Sequence, residues 1–261
     1  MQDKRILEEL AMRVAELAAR PEEQVKKSLW RRHNALEETR PLVFCDPENG
    51  WNEIIREKDL QCEDPLLRSW ERRLRIELFH GERMGDDKVI DAEFPLHYMY
   101  HRSDWGMHET IRKHEEGGSY AWDAPLKDYR DINRLRFPTI TIDQHETDRM
   151  LALAEDIFGG ILKVSLQGSW WWTLGLTQTL VFLRGLEQIM FDMYDYPDEL
   201  HTLMAFLRDG HLAELDFLQN NGLLSLNNGN AYVGSGGFGF SGELPQKDFD
   251  GHVRTMDMWG F

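Results

Sequence analysis

The sequence contains little cysteine and no long apolar run. Its 261 residues include two cysteines, Cys45 and Cys62, which is typical of a protein kept in a reducing compartment. No stretch approaches the run of about 18 apolar residues that a membrane-spanning helix needs. The first twenty residues are charged and amphipathic and lack the apolar segment of a signal peptide. We therefore expect a cytoplasmic protein with no membrane partner.

Basic residues are also scarce. The chain has 30 Lys and Arg residues and 46 Asp and Glu residues, which gives a formal net charge of −16. Proteins that bind nucleic acids non-specifically, or that dock on anionic lipid, need a basic surface. We therefore expect neither kind of partner. Apolar residues make up 41% and charged residues 29% of the chain, a composition typical of a globular protein with an apolar core.

Several catalytic motifs are missing. The sequence has no G-x-S-x-G, Walker loop, C-x-x-C or H-E-x-x-H, so it gives no support to a serine hydrolase, a P-loop enzyme or a zincin. Residues 234–239 match G-x-G-x-x-G by letters. A dinucleotide site needs a helix to begin there, and the following residues 240–245 cannot start one. We interpret this segment as a glycine-rich loop, in the position of a lid.

Hydrophobic periodicity predicts alternating helices and strands. The predicted helices cover residues 4–20, 22–36, 66–80, 147–158, 176–193 and 197–220. The predicted strands are Leu42–Cys45, Lys88–Phe94, Ile161–Leu166 and Leu223–Leu226. Residues 95–138 show no sustained period, and we expect a long loop there with a short helix near Glu109–His114. The order helix, glycine, buried strand occurs twice, which favours parallel strands joined by right-handed helical crossovers.

Two carboxylates and two asparagines are candidate site residues. Asp91 and Glu93 lie two apart on a predicted strand, so their side chains share a face. Inside a barrel one of them would hold a proton, as an acid catalyst requires, whereas past the strand end both would be solvated. Asn228 and Asn230 follow the last predicted strand. They would hydrogen-bond a carboxylate or an amide, or simply form an Asn-Gly turn.

Tryptophans and histidines supply the remaining candidates. Trp170 and Trp172 follow a predicted strand directly, where they would line a pocket or pack on a neighbouring helix. His97, His101 and His108 include a His-x3-His spacing that suits zinc on a helical face. The surrounding segment lacks helical periodicity and a nearby cysteine. We therefore take His97 and His101 as substrate-binding candidates and predict no metal site.

Three consecutive segments resemble the uroporphyrinogen decarboxylase family. Residues 164–174 resemble that family's third-strand segment, residues 194–219 its following helix, and residues 221–228 its next strand. A divergent, corrinoid-linked branch of the family also has counterparts of residues 30–41, 62–68 and 243–249. The resemblance covers nearly the whole chain.

The resemblance implies a (β/α)8 TIM barrel with its site at the carboxyl ends of the strands. It implies a methyltransferase acting with a corrinoid protein and a small-molecule methyl donor. It places Asp91 or Glu93 near the decarboxylase's catalytic aspartate. In this branch zinc is held by residues of later strands. We therefore expect no cofactor on this chain itself, zinc in the complete protein, and a corrinoid carried by the partner.

Two departures from the family shape the expectation. The decarboxylase has an arginine-rich segment after its first strand. In this chain the corresponding segment 45–50 contains Asp46 and Glu48, and no arginine occurs until Arg56. An acidic loop would repel an octa-acid substrate. Four strands are also too few for eight units, so we expect a helical extension over residues 1–40 and a partial barrel of about four β/α units over residues 41–261.

Such a half-barrel would expose strand edges and an apolar interior. The chain is then a fragment, or is completed by a partner chain or by a homo-oligomer. Two alternative functions stay open beside methyl transfer. One is a decarboxylase of porphyrin biosynthesis, and the other is a non-catalytic half-barrel that serves as an interaction module.

Overall fold

A computed structural model describes residues 2–113, 120–168, 175–233 and 237–260 of the chain. The helices, in chain order, are α1 (Gln2–Ala18), α2 (Pro21–Asn34), α3 (Trp51–Ile54), α4 (Pro65–Phe79), α5 (Gln144–Phe158), α6 (Leu176–Arg184), α7 (Leu186–Asp195) and α8 (Pro197–Asn220). The strands are β1 (Glu93–His97), β2 (Tyr100–Arg102), β3 (Thr110–Lys113), β4 (Tyr120–Asp123), β5 (Ile140–Ile142) and β6 (Lys163–Gln167). The chain is therefore a mixed helix and strand protein.

The chain divides into two compact units. Unit 1 comprises Met1–Tyr98, Gln144–Trp172 and Leu224–Phe261, and unit 2 comprises Met99–Asp143 and Thr173–Leu223. Both helices of the predicted N-terminal extension, α1 and α2, belong to unit 1. No helix in the described part of the chain is both long and apolar enough to cross a membrane.

Unit 1 is built around a parallel strand pair. Strand β1 pairs with β6, and Phe94 lies opposite Val164. The core consists of apolar side chains from α1, α4, α5 and these strands. Phe94 packs on Phe158 with ring centroids 4.3 Å apart and on Trp70 at 5.3 Å. The sequence order α5, Gly160 (φ 82°), β6 confirms the predicted succession of helix, glycine and strand in this unit.

Helix α4 begins where its sequence requires. The Asp64 carboxylate accepts hydrogen bonds from the amides of Leu66 and Leu67 at 2.9 and 3.0 Å, and Pro65 occupies the first turn. Trp70, Leu74 and Leu78, four residues apart, are buried against the core. The predicted helix over residues 66–80 is thus confirmed to within a residue at each end.

A wider, π-helical turn follows α4. It spans His80–Met84 and ends at Gly85, which adopts the left-handed φ of 71°. Gly81 lies so close to α1 that an added Cβ would come within 2.7 Å of the Leu17 Cδ1 atom. Such turns often occur at functional sites, and this one leaves the His80 side chain almost fully buried, with 4% exposure.

Unit 2 contains two antiparallel strand pairs and three helices. Strand β2 pairs with β5, and β3 pairs with β4. The apolar core lies mainly among α6, α7, α8 and residues 105–107 and 126–135. Arg184, which ends α6, donates to both oxygens of Asp192 in α7 at 2.6 and 2.9 Å. The Tyr129 hydroxyl donates to the same carboxylate at 2.7 Å. This buried charge pair ties α6 to α7.

Several sequence predictions were wrong. The helix expected near residues 109–114 is wrong because Thr110–Lys113 is the strand β3, paired with Tyr120–Asp123. The helix expected over residues 176–193 is interrupted at Gly185, whose φ is 87°. The expected strands 42–45 and 223–226 are not strands in the described residues. Residues 42–45 instead bond to a loop, where the Asp87 amide donates to the Val43 carbonyl at 2.7 Å.

The barrel expected from the resemblance is not visible as such. The described residues form three two-stranded sheets and no closed ring of strands. A buried apolar segment becomes a strand only when a neighbouring backbone supplies partners, and Leu223 and Leu224 are buried without such a ladder. The structure therefore supports the coarser prediction of a mixed α and β protein with one parallel pair.

Candidate functional site

Unit 1 contains a pocket with a volume of about 590 Å³. This volume falls in the range of sites for small organic molecules. Its lining comes mainly from α2, α4, strand β1 and the loop segments around residues 44–51, 88–91, 226–232 and 238–240. The walls combine aromatic rings with charged and amide side chains, which is the mixture that orients a ligand and covers its apolar body.

Two helix faces supply the charges of the pocket. Lys27 and Arg31 lie four residues apart on α2, and Arg73, Glu77 and His80 lie at i, i+4 and i+7 along α4 and its continuation. Side chains at these spacings project from the same side of a helix. The opposite side of α4 carries core residues, so the helix has a buried apolar face and a pocket face.

Most of the pocket's charges are matched. Lys27 forms an ion pair with Asp91, and Lys88 forms one with Glu77. Arg73 forms no ion pair with any described residue; its Nη1 donates to the Pro95 carbonyl at 2.5 Å.

The Arg73 guanidinium also lies 4.6 Å from the centre of the Phe94 ring. Burial lowers the pKa of Arg73 below the usual arginine value. An arginine nevertheless stays charged at neutral pH. The pocket therefore holds a cation that forms no direct ion pair with a described side chain and feels only the longer-range charge of Glu77.

A buried histidine and a carboxylate meet at the pocket wall. His80 Nδ1 lies 3.3 Å from Asp86 Oδ2, and both side chains are about 3% exposed. The His80 ring stacks on Phe44 at 5.8 Å with an interplanar angle of 22°, and it contacts Trp51 at 5.2 Å. These contacts fix the orientation of the ring.

The Asp86 carboxylate stays ionised. Burial alone would raise its pKa, but the His80 ring and the Cys45 amide, which donates at 3.1 Å, lower the pKa below its usual value. His80 Nδ1 is buried and makes no hydrogen bond with the described residues, so Asp86 acts on the ring through its charge and leaves the other ring nitrogen for a ligand. His80 and Asp86 together therefore have the form of a proton-transfer pair.

The loop after residue 226 supplies two amides to the pocket. Asn228 Nδ2 donates to the Leu244 carbonyl at 2.7 Å, and Asn230 Nδ2 donates to the Val89 carbonyl at 2.9 Å. The Asn230 Oδ1 atom is buried and accepts no hydrogen bond from the described residues. An unpaired buried acceptor is costly, and in a pocket it is available to a ligand donor.

Four predicted site residues come together at this pocket. Asp91, Glu93, Asn228 and Asn230 all line it. Asp91 precedes β1 rather than lying on it, so the shared strand face expected from the sequence is not what unites the carboxylates. Asp91 pairs with Lys27, and Glu93 pairs with Lys163 at 2.9 Å. Each carboxylate is thus held in place by a lysine, which suits a positioning role.

Two of the other predicted residues, His97 and His101, are not part of the pocket. His97 ends β1 in unit 1, whereas His101 lies in β2 in unit 2, and both side chains are exposed. Trp170 and Trp172 lie outside the described residues. No group of three or more His, Cys, Asp or Glu side chains in the described ranges suits a metal ion.

The glycine-rich segment does not begin a helix. Tyr232 and Phe238 form an antiparallel bridge across it, and the described residues 237–254 contain no helical turn. The described residues thus provide no helix N-terminus of the kind that a dinucleotide pyrophosphate site needs. Both aromatic side chains of the bridge line the pocket.

Sequence reasoning missed His80, Arg73 and Lys27. The available signal was the i, i+4, i+7 spacing of Arg73, Glu77 and His80 along one predicted helix, which reads equally as a solvated face. No protein-family model matches the chain, and searches of curated proteins and of solved structures find no match either.

Proposed function

We propose that this chain carries the small-molecule site of a methyltransferase that resembles the uroporphyrinogen decarboxylase family and passes a methyl group between a small donor and a corrinoid protein. The proposal includes a (β/α)8 architecture of which β1 and β6 are two strands. The observation that carries it is the convergence of Asp91, Glu93, Asn228 and Asn230 on one pocket of about 590 Å³. Four residues chosen from the sequence for a shared site thus line the same cavity.

The proposed reaction needs a proton. The donor's bond between a heteroatom and its methyl carbon breaks, and both electrons stay on the heteroatom. The Co(I) centre of the partner's corrinoid supplies the electron pair of the new cobalt–carbon bond. The heteroatom then takes a proton, for which His80 is the source, because its ring lines the pocket and is oriented by Asp86. Asp91 and Asn228 position the donor.

The charges of the pocket disfavour the decarboxylase alternative. Lys27 and Lys88 are neutralised by Asp91 and Glu77, and Asp46 from the acidic loop also lines the pocket. A substrate with many carboxylates needs an excess of cations. This balance supports a ligand of low charge.

The test measures methyl transfer directly. The purified chain is mixed with a corrinoid protein in its Co(I) form and a panel of O-, N- and S-methyl compounds, and the absorption of the methyl–cobalt product is followed. We expect turnover with at least one compound and a loss of about 10²–10⁴-fold in His80→Gln, the range for removing a general acid. His201→Gln, an exposed histidine of α8 in unit 2, is the matched control.

Other results would point elsewhere. Release of carbon dioxide from uroporphyrinogen without any methyl transfer would replace the proposal with the decarboxylase. A folded chain that binds the corrinoid protein but turns over neither kind of substrate would favour the interaction module.

A further inference from the structure

We infer that the pocket of unit 1 binds an organic monocarboxylate with a flat apolar body, held through its carboxylate by Arg73. This inference rests on the proposed function, since it names the substrate class of the same site. Three features of the pocket carry it: an unpaired arginine, a wall of aromatic rings and an unpaired buried acceptor.

Arg73 is the anchor for the carboxylate. A guanidinium has five N–H donors in a planar fork that matches a carboxylate. In Arg73 one nitrogen donates to the Pro95 carbonyl. The carboxylate close enough to act on its charge is Glu77, one turn along the helix, and Glu77 forms its ion pair with Lys88 instead. The side chain is half-buried against Phe94. A half-buried cation with unused donors gains most from a ligand that brings both charge and acceptors.

The charges around Arg73 select a single carboxylate. The two lysines of the pocket already form ion pairs, Lys88 with Glu77 and Lys27 with Asp91. Arg31, exposed on α2, is the remaining pocket arginine without an ion pair among described residues, and its guanidinium lies 5.9 Å from the Phe240 ring centre. It is placed to attract an anion to the pocket rather than to enclose one.

Aromatic rings provide the apolar wall. Phe44 contacts Phe238 at 4.9 Å and Tyr232 at 5.5 Å, and all three line the pocket together with Trp51 and Phe240. Such rings favour offset or edge contacts with another flat ring. A ligand with an aromatic or similarly flat body therefore fits this wall better than a sugar or a short polar acid.

Asn230 adds a preference for a donor on the ligand. Asn230 lines the pocket, and its Oδ1 atom is a buried acceptor without a described partner. A ligand hydroxyl or amine would satisfy this atom. Among flat acids, one with a hydroxyl group should therefore bind more tightly than one without.

Calorimetry on the full chain tests the inference. The ligands are benzoate, hydroxybenzoate, benzamide and inorganic phosphate. We expect hydroxybenzoate to bind best, benzoate next, and benzamide and phosphate at least tenfold more weakly than benzoate. Benzamide lacks the charge, and phosphate lacks the flat body. Phosphate binding as tightly as benzoate would mean a general oxyanion site and would overturn the inference.

Two conservative variants on the same helix separate a binding role from a structural one. Arg73→Lys keeps the charge but loses the planar fork, and we expect benzoate affinity to fall by roughly tenfold to a hundredfold, as for the loss of a charge-assisted hydrogen bond. Arg72→Lys is the control, because Arg72 donates to the Ile55 carbonyl and to Asn52 outside the pocket. Equal affinities of the two variants, with equal melting temperatures, would overturn the inference.

The binding assay contains no corrinoid protein, so its result is independent of methyl transfer. Methyl transfer from donors that lack a carboxylate, with no benzoate binding, would keep the proposed function and overturn the inference. Benzoate binding with the expected Arg73 dependence, but without methyl transfer to a corrinoid, would support the inference and overturn the proposed function.

Discussion

Two arginines, one in each unit, use their hydrogen-bond donors to different extents. In unit 2, the Arg184 guanidinium donates to both Asp192 oxygens and to the carbonyls of Leu126 and Lys127 at 3.0 and 2.7 Å. In unit 1, Arg73 has one carbonyl partner among the described residues. Complete internal bonding stabilises a fold, whereas unused donors at a cavity are what a ligand needs. Arg184 therefore has the bonding expected of a structural residue, whereas Arg73 has the free donors that the proposed binding site requires.

Breaking the unit 2 network should give the largest effect. Arg184→Met leaves the Asp192 carboxylate buried without its cation, and we expect a loss of about 3–5 kcal/mol in the free energy of unfolding of unit 2. Urea denaturation, followed by the fluorescence of Trp105 and Trp122, measures it. The double variant Arg184→Met, Asp192→Leu removes both charges and should recover much of the loss. A cost below about 1 kcal/mol for the single variant would show that the pair is not a main support of unit 2.

Moving the pocket loop should have the next largest effect. A Cβ at Gly239 would overlap the Asn227 carbonyl oxygen and lie 2.9 Å from its carbon, so the backbone next to Asn228 must shift. We expect Gly239→Ala to cost about 1–3 kcal/mol and to weaken benzoate binding. Gly242→Ala is the matched control, because an added Cβ there meets nothing within 4 Å. Equal behaviour of both variants would argue against a fixed loop.

Acid should weaken unit 2 through Asp192. Burial alone raises the pKa of this carboxyl, but hydrogen bonds from Arg184, Gln188 and Tyr129 lower it to about 2. The unfolded value is about 3.9. A depressed folded pKa stabilises the protein above the unfolded pKa, and this contribution is lost as the pH falls from about 4 through about 2.

The stability of wild type and of Asp192→Asn should therefore converge on acidification. Urea unfolding between pH 6 and pH 2.5, read from the unit 2 tryptophans, measures both proteins. Parallel pH profiles would mean that another group governs the acid sensitivity of unit 2.

Thiol labelling needs no substitution and should give the smallest effect. It compares two cysteines that both belong to unit 1. Burial, with the Glu71 carboxylate nearby, raises the pKa of Cys62 to about 12, whereas Cys45 is exposed. At pH 8 we expect iodoacetamide to modify Cys45 and to leave Cys62 unmodified until denaturant is added. Peptide mass mapping separates the two sites. Equal labelling rates in the native protein would show that the core around Cys62 opens readily.

Local signals in the sequence predicted the elements whose causes are local. Asp64-Pro65 marked the start of α4 through a side-chain cap, and Gly159-Gly160 marked the end of α5. The strand at Thr110–Lys113 was missed because its pairing with Tyr120–Asp123 decides its structure, and strand propensity depends on such partners.

The candidate site was also predicted only in part, because some of its residues are marked by local signals and others are not. Asp91 was selected because it lay on a predicted strand, and Asn230 because it followed one, and both line the pocket. Arg73 and His80 were missed because a helix face becomes a pocket wall only when distant segments approach it. The loop that supplies Asn230 lies about 150 residues further along the chain than His80, and nothing local to α4 encodes that approach.

The relative position of His80 and Asp86, the proposed proton-transfer pair, depends on the number of residues in the π-helical turn His80–Met84. Such a turn holds one residue more than an α-helical turn. Removing a single residue from this turn would rotate its last residues by roughly 100° about the helix axis, so the loop that carries Asp86 would leave the helix in another direction. The carboxylate would then face away from the imidazole even though both side chains were retained. A one-residue deletion, invisible to any comparison of side-chain identities, would thus be enough to disable the site.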